Sequence, residues 1–170
     1  MNIKSFEHIY LIGIGGIGMS ALACFFLSQN KKVYGYDKVK SSITSELEEK
    51  GIKISYVDSI DTIPSDFNIN QDNKLIIYSS AISNNKIFSF FKKNNFKIRK
   101  RAVVLGAISS FYYTIAIAGT HGKTTTSALL SHILKSSKID CTAFIGGISK
   151  NYDSNFLLSN TSNYMIVEAD

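Results

Sequence analysis

Residues 8–23 read "HIYLIGIGGIGMSALA", an apolar run that ends in a glycine-rich turn and passes straight into a helical pattern. Gly13, Gly15 and Gly18 fit the spacing G-x-G-x-x-G, which gains its meaning from that strand–turn–helix setting. The first glycine permits the tight turn, the second lets backbone N–H groups approach a phosphate, and the third lets the helix pack closely on a sheet. The helix start adds about half a positive charge where the phosphate would sit. Asp37 closes the next apolar run, "KVYGYD", about 20 residues on, where a Rossmann acid hydrogen-bonds a ribose. By itself this turn suits NAD or FAD.

A second turn of the same kind lies further along, in "IAIAGTHGKTTTSALL", residues 115–130. A full Walker A motif would have glycine where Ile117 stands, so the loop is the shorter G-x-x-G-K-T of Gly119, Gly122, Lys123 and Thr124. The chemistry is retained. The backbone N–H groups of this loop form a nest for phosphates, Lys123 supplies a point charge, and a threonine hydroxyl can ligate Mg²⁺. His121 reads equally as a turn residue and as a phosphate contact. Glu168 follows the apolar "YMIV" at the carboxyl end of an expected parallel strand, where ligand groups gather in open α/β sheets. That makes it a metal-site candidate beside the phosphate loop, with Asp170 a weaker one. His8, at a strand start, and His132, on a helix face, read as structural residues.

Strand-like and helical patterns alternate between and around these turns, the β-α-β rhythm of a parallel sheet with helices on its faces. The fold class is α/β. Residues 1–105 are expected to form a Rossmann-like parallel-sheet domain. Residues 106–170 restart the rhythm as the first part of a P-loop mononucleotide-binding α/β domain with three strands, "YTIAIAG", "CTAFIGG" and "NYMIVEAD".

Composition excludes several classes. Hydrophobic residues make up 45% of the 170 and charged residues 19%, which suits a packed core and argues against disorder. No apolar run approaches the ~18 residues of a membrane span, and the start shows no secretory signal, so the expected compartment is the cytoplasm. Cys24 and Cys141 lie at no metal-like spacing and read as two buried thiols. The net charge of +6 is concentrated in "FFKKNNFKIRKR", which reads as a solvated helix end and strand edge and not as a nucleic-acid surface.

Taken together, "GIGGIGMSALA", "YSSAI", "AGTHGKTTT", "FIGG" and "VEAD" resemble the Mur ligases of peptidoglycan synthesis over essentially the whole chain. The resemblance implies a UDP-sugar on the first turn and ATP on the second. Gly13, Gly15, Gly16, Ile17 and Gly18 would then form the UDP-diphosphate turn, Asp37 would face the uridine end, and Ser79, Ser80 and Ala81 would lie beside the UDP-sugar. Gly119, Thr120, His121, Gly122, Lys123, Thr124 and Thr125 would form the ATP loop. Lys123 would be the catalytic charge on the phosphates, and Thr124 and Glu168 would hold Mg²⁺. The implied reaction is ATP-dependent amide formation. The carboxylate of UDP-N-acetylmuramate is phosphorylated, and the amine of L-alanine attacks the acyl phosphate. Neither nucleic acid nor membrane is an implied partner.

The chain departs from the family pattern at Asn85, where the family has proline, and at Asp153 and Phe156, where glycine and alanine are common. The family's third domain has no counterpart here, so the chain reads as an amino-terminal fragment that is inactive alone. Two other readings remain. A relative that attaches a whole peptide to UDP-N-acetylmuramate usually has a cysteine-containing variant of "GIGGIG", and a NAD- or FAD-dependent oxidoreductase would leave "GTHGKTTT" unused.

Overall fold

The computed structural model describes residues 2–69, 72–80, 82 and 85–169. Contacts between residues divide the chain into two compact units, residues 1–104 and 105–170.

In the first unit the apolar runs become β1 (His8–Ile12), β2 (Lys32–Tyr36), β3 (Lys53–Ser55), β4 (Lys74–Tyr78) and β5 (Ile98–Lys100). All pair in parallel, in the order β3-β2-β1-β4-β5. His8 is opposite both Lys32 and Lys74, so Ile12, Tyr36 and Tyr78 finish level with one another. That register sets the glycine turn, Asp37 and Ser79 side by side at the carboxyl edge of the sheet. The central strands β1 and β4 are buried almost throughout, which is why they read as unbroken apolar runs and not as alternating ones.

Helix α1 (Ile17–Ser28) packs on β1 and β2 and against α2 (Ser42–Glu49). Ser41 starts α2 with a capping box: its Oγ accepts the Thr44 N–H while Thr44 Oγ1 accepts the Ser41 N–H. Asn85 begins α3 (Lys86–Lys93) by accepting the Phe88 N–H at 2.7 Å, and Asp58 accepts the Lys86 and Ile87 N–H groups. The departure from proline at 85 therefore supplies a helix cap.

Within the first unit the strict alternation expected from the sequence breaks once. Between β3 and β4 the chain makes 3-10 turns at Ile60–Thr62 and Ser65–Phe67 instead of an α-helix. Pro64 separates them and keeps Ile63 extended (ψ 127°), which ends any helical run. The second turn delivers Phe67 into the core, where its ring meets those of Tyr10, Tyr34 and Phe91 edge-on at 5.5–5.7 Å.

Helix α4 (Arg101–Ser109) leads to the second unit. There β6 (Tyr113–Ile117), α5 (Lys123–Ser136), β7 (Thr142–Ser149), β8 (Ser154–Leu157) and β9 (Tyr164–Glu168) give a sheet of order β6-β9-β7-β8. Its described residues form four strands, one more than the sequence reading gave. The extra strand, β8, is antiparallel to β7, and Asp153 makes the reversal with φ +47°. Asp tolerates that left-handed backbone better than most side chains, which accounts for its standing in for glycine. Phe156 faces Phe144 across the two strands at 5.2 Å between ring centres.

Cys141 is fully buried but Cys24 is only half-buried, close to Lys50. Lys92, Lys93, Lys97, Arg99 and Lys100 are exposed, as a solvated run requires, but Arg101 is drawn partly inward. No helix among the described residues is long and apolar enough to cross a membrane.

Candidate functional site

Each unit carries its own candidate site. In the first, Gly13 leaves β1 and donates its N–H to the Tyr36 carbonyl at 2.8 Å, while Ile14 donates to the same oxygen at 3.1 Å. The turn is thus pinned to the end of β2. Gly16 caps α1 without a side chain, and the first turn of that helix holds no acid. Asp37 is bound into the turn, because its Oδ2 accepts the Gly15 N–H at 2.7 Å and its Oδ1 accepts the Val39 N–H at 3.2 Å. The acid expected to face a ribose thereby also braces the glycine turn. Ser79 and Ser80 follow β4 directly, and a Cβ on Gly13 would lie 3.8 Å from that of Ser79. The two loops therefore meet at adjacent strand ends. Ala81 lies outside the described residues.

In the second unit the loop after β6 is exposed from Ala118 to Gly122, including Thr120 and His121. Gly122 caps α5 with φ +78°, a left-handed backbone that side chains rarely adopt. That conformation turns the chain into the helix, whose first residues are Lys123, Thr124 and Thr125. Lys123 Nζ donates to the Gly119 carbonyl at 2.8 Å, which folds the lysine back over its own loop. Thr124 Oγ1 donates to Glu168 Oε2 at 3.2 Å, so the two proposed metal ligands lie together. Glu168 Oε1 is held by Ser127 Oγ at 2.8 Å and by the Gly146 N–H at 2.7 Å.

This donor set suits Mg²⁺. The described residues contain no cluster of three or more His, Cys, Asp or Glu able to hold a metal. One carboxylate and one hydroxyl are what Mg²⁺ takes from a protein when phosphate oxygens and water complete its octahedron. Sequence reasoning missed Ser127 and Gly146, which position Glu168. The local signals were the serine within "TTTSALL" and the glycine pair of "FIGG", neither of which names its partner.

Residues 8–113 match the profile of the Mur ligase family, catalytic domain. The chain belongs to the Mur ligase family. Among curated Mur ligases, the UDP-N-acetylmuramate–L-alanine ligase of Flavobacterium johnsoniae is 49% identical over 171 aligned residues, and that of Parabacteroides distasonis is 45% identical. Both alignments cover this whole chain and 37% of the relative, so the chain spans a little over a third of the length of these relatives. The crystal structure of the Thermotoga maritima UDP-N-acetylmuramate–alanine ligase superposes with a TM-score of 0.82 at 29% identity, covering 95% of this chain and 37% of that one. A Neisseria ligase joining UDP-N-acetylmuramate to a tripeptide superposes with a TM-score of 0.83 over 97% of this chain and 53% of its own. At 23% identity it shares the fold. The Rossmann-like parallel sheet followed by a second α/β unit is the Mur ligase arrangement.

Proposed function

We propose that the chain is part of an ATP-dependent ligase that joins L-alanine to UDP-N-acetylmuramate, with the UDP-sugar on the first unit and ATP with Mg²⁺ on the second. The observation that carries this reading is the Thr124–Glu168 pair beside the Lys123 loop, in a chain 45–49% identical throughout to ligases of that name. Turn residues Gly13, Gly15, Gly16, Ile17 and Gly18 would take the diphosphate, Asp37 the uridine end, and Ser79, Ser80 and Ala81 the sugar side.

On the second unit, backbone N–H groups from Gly119 to Thr125 would cradle the nucleotide phosphates. Lys123, released from the Gly119 carbonyl, would place its charge on the transferring phosphoryl group. Thr124 and Glu168 would hold Mg²⁺, which neutralises phosphate charge when bound. The muramoyl carboxylate would accept the γ-phosphoryl group from ATP, and the L-alanine amine would then displace phosphate to form the amide. Since the chain spans 37% of its relatives, the 170 residues alone are expected to bind and not to turn over.

Calorimetry of this chain with UDP-N-acetylmuramate, then with ATP and Mg²⁺, tests the assignment. Binding of NAD in place of the UDP-sugar would overturn it. In a full-length ligase, preference for a tripeptide over L-alanine would shift the reading to the peptide-attaching relatives.

A further inference from the structure

The two oxygens of Glu168 lie in different surroundings. Oε1 accepts from Ser127 Oγ at 2.8 Å and from the Gly146 N–H at 2.7 Å, and Ser127 is fully buried on α5. Oε2 accepts from Thr124 Oγ1 at 3.2 Å, and Thr124 is exposed. A carboxylate oxygen has about two lone-pair sites. Both of those on Oε1 are taken. Among the described residues Oε2 accepts a single hydrogen bond, which leaves one site for a cation. Ser127 Oγ also lies 3.0 Å from the Thr124 carbonyl. It has one proton to give, and the charged acceptor at the shorter distance takes it.

Thr124 is bounded on its other side by β7. A Cβ on Gly147 would come within 3.1 Å of Thr124 Cγ2, so the methyl group rests where only a glycine gives it full room. With its proton donated to Glu168, the Thr124 hydroxyl keeps its lone pairs for a metal. Thr124 and Glu168 would therefore offer a cation one oxygen each.

That count discriminates between cations. Mg²⁺ takes six oxygens at about 2.0–2.1 Å and is satisfied by one or two protein groups with water and phosphate. Ca²⁺ takes about six to eight at roughly 2.3–2.6 Å and is often gripped by both oxygens of one carboxylate. We propose that Ser127 is a positioning residue that determines metal specificity. With the Gly146 N–H it occupies Oε1, keeps Glu168 from closing on a cation with both oxygens, and so makes the site favour Mg²⁺ over Ca²⁺. This rests on the reading of Thr124 and Glu168 as the metal ligands beside the ATP loop.

The test measures the affinity of the full-length ligase for a non-hydrolysable ATP analogue with Mg²⁺, with Ca²⁺ and with a chelator. Ser127→Ala is expected to weaken binding with Mg²⁺ by about tenfold, the scale of losing an orienting contact at a metal site. Binding with Ca²⁺ should weaken less or tighten, so the preference for Mg²⁺ falls several-fold, and binding with the chelator should not change. Ser127→Cys fills the same buried space with a weaker donor and should lie between the parent and the alanine variant. It decides the matter by itself if Ser127→Ala does not fold.

If neither cation changes the parent's affinity for the analogue, the reading of Thr124 and Glu168 as metal ligands fails. If the parent responds and its preference for Mg²⁺ is unchanged or higher in the variants, the metal site stands and the role of Ser127 is refuted. An equal loss with and without metal would also refute it, by showing that Ser127 only supports the loop.

Discussion

Gly146, midway along β7, donates its N–H to the carboxylate of Glu168 at the end of the neighbouring parallel strand β9, and a side chain at 146 would have to push that carboxylate aside. A Cβ on Gly146 would collide with Glu168 Oε2. The glycine thereby fixes the carboxylate that Thr124 touches. Gly146→Ala should displace Glu168 and raise the Mg²⁺ concentration needed for half-maximal activity of the full-length ligase by about tenfold, the scale of losing one orienting contact at a metal site. A Mg²⁺ titration checks this, and an unchanged midpoint would separate Glu168 from the metal.

Lys123→Ala should lower the ligase rate by about 10²–10³, as for one preorganised electrostatic donor, and leave UDP-sugar affinity unchanged. The glycine turn that would bind the sugar is in the other compact unit. Paired measurements of steady-state rate and UDP-sugar binding test it. Full activity without Lys123 would mean that the loop holds something other than ATP.

Asp140 gives a pH prediction. Burial alone would push its carboxyl up, but hydrogen bonds from Lys135, Ser159 and the Cys141 N–H outweigh this and lower its pKa to about 2. The folded state thus binds its proton less readily than the unfolded chain does. The stabilisation is complete above about pH 4, the ordinary carboxylate value, and is lost as pH falls towards 2. Thermal melts of the parent and Asp140→Asn should differ at pH 5 and draw together as the pH falls through about 2. A constant difference across that range would show that the interaction is not ionic.

Tyr10 is buried to 1% exposure, and its hydroxyl has no hydrogen-bond partner among the described residues. Leaving such a group unpaired costs about 1–3 kcal/mol. Tyr10→Phe should therefore raise stability by about 1 kcal/mol in denaturant melts, whereas a clear loss would reveal a partner for the hydroxyl. Phe67→Ala, at the centre of the same ring cluster, should cost about 3–5 kcal/mol by the same measurement.

The parallel α/β class, the two glycine turns and the helices they open are legible in the amino-acid order alone. Those features are local: a short apolar run, a backbone that only glycine adopts easily, and a helix pattern can be read from a few adjacent residues. The same order puts Lys123 and Thr124 at one helix start and Glu168 at a strand end. Which groups meet is a property of the folded chain. Thr124 and Gly146 reach Glu168 across 44 and 22 residues of chain, because β9 lies between β6 and β7. Strand order is set by how the whole sheet buries its faces, and short motifs do not encode it. The same holds for Asp37 bracing Gly15. β8 escaped notice because one left-handed residue, Asp153, makes its turn, and no glycine announced it.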